Sequence, residues 1–455
     1  MTLLYRRCAG IDVHKKSLAV GVRVGAEESE IESATFGTFT RDLKEMAEWL
    51  KARKIRHVAM ESTGVYWKPV GNVWESSKWK FDLLLVNPQQ VRALPGKKTD
   101  GEDGKRISGY LQPGLLRGSF VPPKPMRELR ELTRRRTHLP GDRNRVINRI
   151  GRWLETAHIK LGSVVSNIVG QSGKAILNGI CSGESNAKAL AQLTSGRVKC
   201  TTQDLERALE GRYDDHLRWW LRQLLDDLKS LDQRVVAVEV RIGQLTTDPR
   251  EVIARLCTLP GVNVTTAHTI LAEIGTDMGQ FPDARHWASW AGLCPGHSES
   301  AGKRFSGRTR KGDRYLRRIL IQNAWAVAHM KDSALTALFY RVAAQAGMKK
   351  AAVAVAHRIL TLAYYIIRDG AEYREAGGDY YDRHNPAKTV KRLTRRLERI
   401  GFEVTLTPRR ELPTPDEAQK VAPPPGQRCK KCNAWGIACI HVRPRQAPPP
   451  SRLSD

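Results

Sequence analysis

AGIDVHKKSLAVGVRV, residues 9–24, is the stretch on which the reading of the fold turns. Two apolar-rich runs are separated by the polar HKKS, and a third run, IESATFGTF, follows at 31–39, so residues 7–36 read as three strands. An amphipathic helix is expected over 40–52. Beyond it, HVAM ends at Glu61 and FDLLLV ends at Asn87-Pro88, which adds two strands before the chain turns helical through 100–112. Strands followed by helices that cover them describe an α/β or α+β domain closing near 115, and VPPKP at 121–125 marks its boundary. The first domain is therefore set at 1–120.

Working outward, a basic helical linker is expected over 121–250. Its first part sets Arg127, Arg130, Arg134, Arg135, Arg136, Arg143, Arg145, Arg149 and Arg152 around Leu129, Leu132, Ile150 and Leu154, and Pro140-Gly141 should break it into two helices. Its second part carries Leu217, Leu221, Leu224, Leu228, Leu231, Val235, Val238, Ile242 and Leu245, a heptad seam of the coiled-coil type. A seam does not say whose helix it faces, so a hairpin against 126–157 and a coiled coil with a second copy are both open. A compact helical domain follows over 251–375. Residues 376–455 form a basic tail, with PPP at 423–425 and 448–450 and fifteen Lys or Arg against six acids from 386 onward, a composition that does not bury a core.

Across all 455 residues, 76 Lys and Arg outnumber 47 Asp and Glu, a net charge of +29 that attracts polyanions. Nucleic acid is the leading partner. Arg6 and Arg7 interrupt the first apolar residues too early for a signal peptide, and the apolar run 351–367 holds His357 and Arg358 in its middle, as a buried amphipathic helix does. A cytoplasmic protein with no membrane association is expected.

Four carboxylates of the first domain suit a two-metal phosphodiester site. Asp12 alternates with Ile11 and Val13 along a strand, Glu61 ends another, and Asp100 and Asp103 are three apart in KTDGEDGKRI, with Glu102 on a different helical face. Carboxylates gathered at one end of a sheet can hold Mg²⁺ ions about 4 Å apart, which stabilise the attacking and leaving oxygens of an in-line displacement. The second candidate site is GLCPGHSESAGKRFSGRTRKGDRYLRRILIQNAW, 292–325, read as a Gly-, Pro- and Ser-rich loop that becomes helical from Gly312. Ser300 sits there among Lys303, Arg304, Arg308, Arg310, Lys311 and Arg314, either as a nucleophile or as part of a passive phosphate-binding loop. Upstream, LCTLPGVNVTTAHTILAEIG at 256–275 reads as a helix-hairpin-helix element or as a plain helical connection, with Asn263 where a second glycine is common.

GIDVHK at 10–15, MESTGVYW at 60–67, VNPQQVRALPGKKTDGED at 86–103, LPGV at 259–262 and the 292–325 block together resemble the DEDD transposases of the insertion-sequence one-ten family, over residues 7 to about 370. The resemblance implies a ribonuclease-H-like (RuvC-like) first domain with Asp12, Glu61, Asp100 and Asp103 as the metal quartet. It also implies Ser300 as the nucleophile of a phosphoserine link to DNA. A structured guide RNA and a dimer, or a tetramer on DNA, are further implications. Gly104 departs from the alanine usual after the last aspartate, and Ala301 from a glycine; Ser298 is the alternative nucleophile.

The tail lies outside this resemblance. Its Cys429, Cys432, Cys439 and His441 are a candidate Zn²⁺ shell, or else reduced cysteines in a flexible segment. Three functions follow for comparison: an RNA-guided, serine-linked recombinase, a Mg²⁺-dependent nuclease or junction resolvase with no covalent intermediate, and a non-catalytic nucleic-acid scaffold. Only the first two have a use for the carboxylates, and they differ over Ser300.

Overall fold

The computed structural model describes residues 3–25, 31–62, 64–75, 79–94, 103–194, 198–296, 298–300, 303–306, 308–309 and 311–407. The chain divides into two units, Met1–Val121 and Pro122–Asp455.

In the first unit, strands β1 (Arg7–Val13), β2 (Leu18–Val24) and β3 (Ile31–Phe36) precede helix α1 (Thr40–Ala52). Then come β4 (His57–Glu61), α2 (Trp67–Glu75), β5 (Asp82–Val86), α3 (Pro88–Ala93) and α4 (Asp103–Leu111). The sheet order is β3-β2-β1-β4-β5, with β1–β2 and β2–β3 antiparallel and β1–β4 and β4–β5 parallel. This mixed five-stranded sheet fits a RuvC-like fold. Alternation along β1 divides its side chains between two cores: Ala9, Ile11 and Val13 join Leu43, Met46 and Leu50 of α1, while Cys8 joins Ile107 and Leu111 of α4. The sequence reading omitted α2 and α3. Pro69 and Gly71 fall within α2, and they are tolerated because Pro69 lies in the first turn, where its missing N–H has no intrahelical partner in any case.

The second unit is mainly helical. It opens with α5 (Lys124–Thr156), α6 (Leu161–Val164), α7 (Gln171–Cys181), α8 (Ala187–Gln192), α9 (Thr202–Ala208) and α10 (Asp215–Leu245). Contrary to expectation, α5 runs unbroken through Pro140. Pro140 is exposed, whereas Arg136 and Leu139 beside it are buried, so tertiary packing outweighs a local cost of about 3 kcal/mol. The heptad seam of α10 is covered within the chain: Leu217, Leu221, Leu224, Leu228 and Leu231 share one core with Leu139, Val146, Ile150 and Leu154 of α5 and with Ile176 and Ile180 of α7. Of the two openings left by the seam, the intramolecular hairpin is the one present.

The chain continues through α11 (Arg250–Leu256), α12 (Val264–Ile274), α13 (Ala284–Trp290), a small hairpin of β6 (Ser298–Ser300) and β7 (Lys303–Ser306), and α14 (Arg314–Ala328). It then forms α15 (Ala334–Ala346), α16 (Met348–Asp369), α17 (Tyr380–His384) and α18 (Pro386–Arg399). Helix α16 is long and apolar enough to cross a membrane, but Val355, Ile359, Leu360 and Ala363 are buried in the core, which makes it a central core helix.

Several arginines of α5 are spent inside the unit. Glu273 of α12 has no exposed side-chain surface, and its carboxylate receives Arg130 at 2.9 Å and both prongs of Arg134 at 2.8 Å. Arg134 also reaches Asp313, the residue that caps α14, at 3.1 Å. Three helices are thereby joined at one buried anion. Burial pushes the Glu273 carboxyl up, and the Arg134 hydrogen bonds oppose that shift. Removing one partner of such a group strands the others, so Glu273→Ala should cost about 3–5 kcal/mol. The expected observation is a lower urea midpoint with an unchanged slope; an unaltered midpoint would show that the junction carries no stability.

Candidate active site

The first site is built where β1 and β4 end. Ile11 pairs with Met60 across the parallel ladder, so Asp12 and Glu61, one residue further along each strand, lie side by side at the carboxyl edge of the sheet. Asp12 is only 5% exposed, while Glu61 is half-buried. Helix α4 brings the third carboxylate, Asp103, in its first turn.

What seats α4 so close is the absence of side chains. A Cβ on Gly10 would lie 2.3 Å from the Ser108 nitrogen, one on Gly21 would lie 2.4 Å from the Lys105 nitrogen, and one on Gly104 would lie 2.5 Å from the Ala19 carbonyl oxygen. Every one of those contacts is with backbone, which has no rotamer to escape into. Gly104, noted above as a departure from the usual alanine, is therefore a packing requirement.

Burial pushes the Asp12 carboxyl up, and the nearby Asp103 charge adds to that shift. His14 opposes it: its Nε2 lies 2.8 Å from Asp12 Oδ2. The sequence reading did not single out His14, which lies just past the end of β1, two residues from Asp12 in GIDVHK. Asp103 in turn pairs with Arg106 at 2.7 Å.

Among the described residues, no group of three or more His, Cys, Asp or Glu side chains is drawn together as a formed metal cage. Asp100 lies outside the described residues, as do Glu102 and the tail residues Cys429, Cys432, Cys439 and His441. The donors that are present suit a hard divalent cation. A desolvated carboxylate facing a second negative charge is destabilised as an anion, and a cation held by both oxygens relieves that conflict.

The second site corrects the expectation of a loop at 292–312. Ser300 pairs with Lys303 and Glu299 with Arg304, so Ser300 ends β6, with Ala301 and Gly302 between it and β7. Ser300, Lys303 and Arg304 are placed as backbone only; Arg310 lies outside the described residues, whereas Arg308, Lys311 and Arg314 are exposed. The base of the hairpin is rigid: Pro295 and Thr309 form a bridge, Gly296 N–H donates to the Arg308 carbonyl at 2.9 Å, and Arg317 of α14 donates to the Gly292 carbonyl and the Thr309 hydroxyl.

Upstream, α11 and α12 join through Pro260-Gly261-Val262, with Gly261 at φ +76° and its missing side chain facing Val327 of α14. Asn263 accepts from the Thr266 N–H at 2.9 Å and so caps α12 from within the chain.

One prediction follows from Asp12. Its raised folded-state pKa means that its contribution to stability is present at low pH and lost as pH rises through that pKa. In EDTA at pH 7, Asp12→Asn should therefore melt a few degrees above the wild type, with the difference closing toward pH 4. A lower melting temperature for the variant at pH 7 would overturn this account of Asp12.

Comparison with known families gives two separate matches. A DEDD family model described as "Transposase" matches residues 9–159, and one described as "Transposase IS116/IS110/IS902 family" matches residues 253–341. The chain is 37% identical over 109 residues to a "Probable family 20 transposase" of Pseudomonas aeruginosa, covering 24% of this chain and 31% of the relative. It is 28% identical to the pilin gene-inverting protein of Moraxella bovis over 35% of this chain and 48% of that relative. A 42 kDa protein of insertion element IS900 from Mycobacterium paratuberculosis is 26% identical over 65% of this chain and 80% of the relative. The match thus spans about a third of the first of these relatives and half of the second. Both family matches are thus to transposase models, and they leave residues 160–252 and 342–455 unmatched.

Proposed function

We propose that this chain cuts and rejoins DNA strands as the transposase of an insertion sequence, using the carboxylate edge together with Ser300. The observation that carries the reading is the convergence of Asp12 and Glu61 at adjacent strand ends beneath the helix that begins with Asp103. With Asp100 these residues would hold Mg²⁺, which supplies charge neutralisation at the reacting phosphate. The DEDD name refers to the carboxylates alone. The serine is this reading's addition, supported by its place at a hairpin end followed by exposed Arg308, Lys311 and Arg314.

In the proposed reaction the Ser300 oxygen bonds to phosphorus, the bond from phosphorus to one deoxyribose oxygen breaks, and that oxygen leaves with a proton. The ester conserves the energy of the broken link, so a second strand's hydroxyl can displace the serine with no external energy source. Nearby cations stabilise the charge that builds on the phosphoryl oxygens. A structured RNA would supply sequence choice, and the net charge of +29 suits two nucleic-acid clients. Self-association, dimeric or tetrameric on DNA, would have to use surfaces other than the α10 seam, which α5 and α7 occupy.

Two outcomes separate this from a hydrolytic nuclease. A nicked suicide substrate incubated with protein and Mg²⁺, then denatured, should leave DNA attached to the peptide containing Ser300. Ser300→Ala should abolish both adduct and joining, and Ser298→Ala should keep both. Joining by Ser300→Ala, or an adduct on Ser298, would sink the assignment. Metal dependence is a separate expectation: Asp103→Asn should lower strand exchange by at least about 100-fold while DNA binding stays within about 3-fold, because a ligand is lost and the basic surface is not. Undiminished exchange in EDTA would rule out the carboxylate role.

A further inference from the structure

Beside the base of the serine hairpin lies a cavity of about 1250 Å³ whose lining, Arg308 apart, the proposed chemistry leaves unused. One wall is the hairpin base itself, Leu293, Pro295 and Thr309, and the floor is Val353, Ala354 and His357 of α16. The opposite wall is α17, where Tyr380 and His384 lie nearly parallel, 18° between planes at 5.9 Å, with Tyr381 edge-on to Tyr380 at 5.0 Å. Lys349, Lys350 and Arg358 are exposed at its rim. A flat aromatic wall, an apolar floor and a cationic rim together match one ligand chemistry: a planar base joined to a phosphate.

The surroundings extend that chemistry. A second groove, of about 1040 Å³, shares Tyr381 and is flanked by Lys388, Arg392, Arg395 and Arg399 of α18, a track of cations leading to the cavity. Ser300 follows Pro295 of the hairpin base by five residues, at most about 18 Å of extended chain, so a strand held at the serine has its neighbouring nucleotides within reach of the cavity. The aromatic wall falls at 380–384, beyond both family matches, which end at 159 and 341. The aromatic wall of this pocket thus comes from a segment outside the matched parts of the chain, whereas the hairpin wall lies within the second match.

We propose that the cavity between the hairpin base and α17 receives an unpaired nucleotide of the DNA strand held at the serine hairpin, its base stacked on Tyr380 and its phosphate at Lys349 and Lys350. The location rests on the reading of the hairpin as the strand-holding site; the binding chemistry does not require the serine to react. An extrahelical base bound there would keep the strand locally unpaired beside the reacting phosphate, and would give the site a preference for distorted over regular duplex.

The test is binding by the full-length protein of three probes: a 20-base-pair DNA duplex with one bulged 2-aminopurine, the same duplex fully paired, and an RNA duplex with the same bulge. The bulged DNA should bind more tightly than the paired DNA, and its 2-aminopurine emission should be quenched on binding. Tyr380→Ala should lose that preference by roughly 5- to 100-fold, the range of one lost base stack, and Tyr380→Phe should keep it. Lys349→Gln should weaken all DNA probes and reduce the salt dependence. Equal affinity for bulged and paired DNA, quenching by the RNA probe alone, or full preference in a Tyr380→Ala protein of unchanged melting temperature would each overturn the proposal. Quenching in a protein that forms no covalent adduct would sustain the pocket and remove only the serine reading. An adduct without quenching would do the reverse.

Discussion

Everything proposed for the first unit depends on one steric constraint, the backbone-to-backbone seat of α4 on the sheet. At Gly10, Gly21 and Gly104 the helix and strand backbones meet with no side chain between them, and an added Cβ at any of the three would lie 2.3 to 2.5 Å from backbone atoms. Close-packed interiors do not absorb such overlaps, so a larger residue must displace the helix and, with it, the first turn that carries Asp103. The carboxylate edge is therefore a product of the sheet's glycine content as much as of its acids. The electrostatic cost of gathering those acids is visible in Asp12, held up by burial and by Asp103 and countered by His14.

The second unit solves a different problem, holding a short exposed hairpin in place. Arg317 ties both sides of the hairpin base to α14, and Gly312 passes against the Gly292 backbone, where a Cβ would lie 2.3 Å away. Helix α14 is in turn fixed through its cap, Asp313, to Arg134, and so to the buried Glu273. A serine carried on a two-strand hairpin would be poorly positioned by the hairpin alone; the buried ion network supplies the rigid footing. This use of charge also tempers the sequence reading of α5. Its arginines look like a uniform nucleic-acid surface, yet Arg130, Arg134 and Arg136 are turned toward Glu273 and Glu239 within the unit.

How much was legible follows from what each residue type signals. Strand alternation in 7–36 and the strand-ending Glu61 were readable because period two and turn residues leave a local trace, and Asp12 followed from that alternation. The α10 heptads gave the seam but not its partner, since the period is the same whether the facing helix is α5 or another copy. Pro140 misled because propensity is local and the packing around Leu139 is not. The serine segment reads as a loop because it is rich in Gly, Pro and Ser, a composition that hides the short pairing of SES with KRFS. The glycine seat left no signal at all: a single sequence does not reveal that Gly21 and Gly104, eighty-three positions apart, approach each other.

The central claim is that α4 must lie flush on the sheet for the carboxylates to act together, and Gly21→Val tests it without touching any carboxylate. Valine favours the strand, so β2 itself should persist, while the added atoms drive α4 outward. The decisive measurement is Mn²⁺ affinity, read by electron paramagnetic resonance on wild type and Gly21→Val with matched circular dichroism spectra. The account predicts a loss of affinity of at least about 10-fold, the range expected when support of a metal ligand is disturbed. Mn²⁺ binding of equal strength in the two proteins would contradict it.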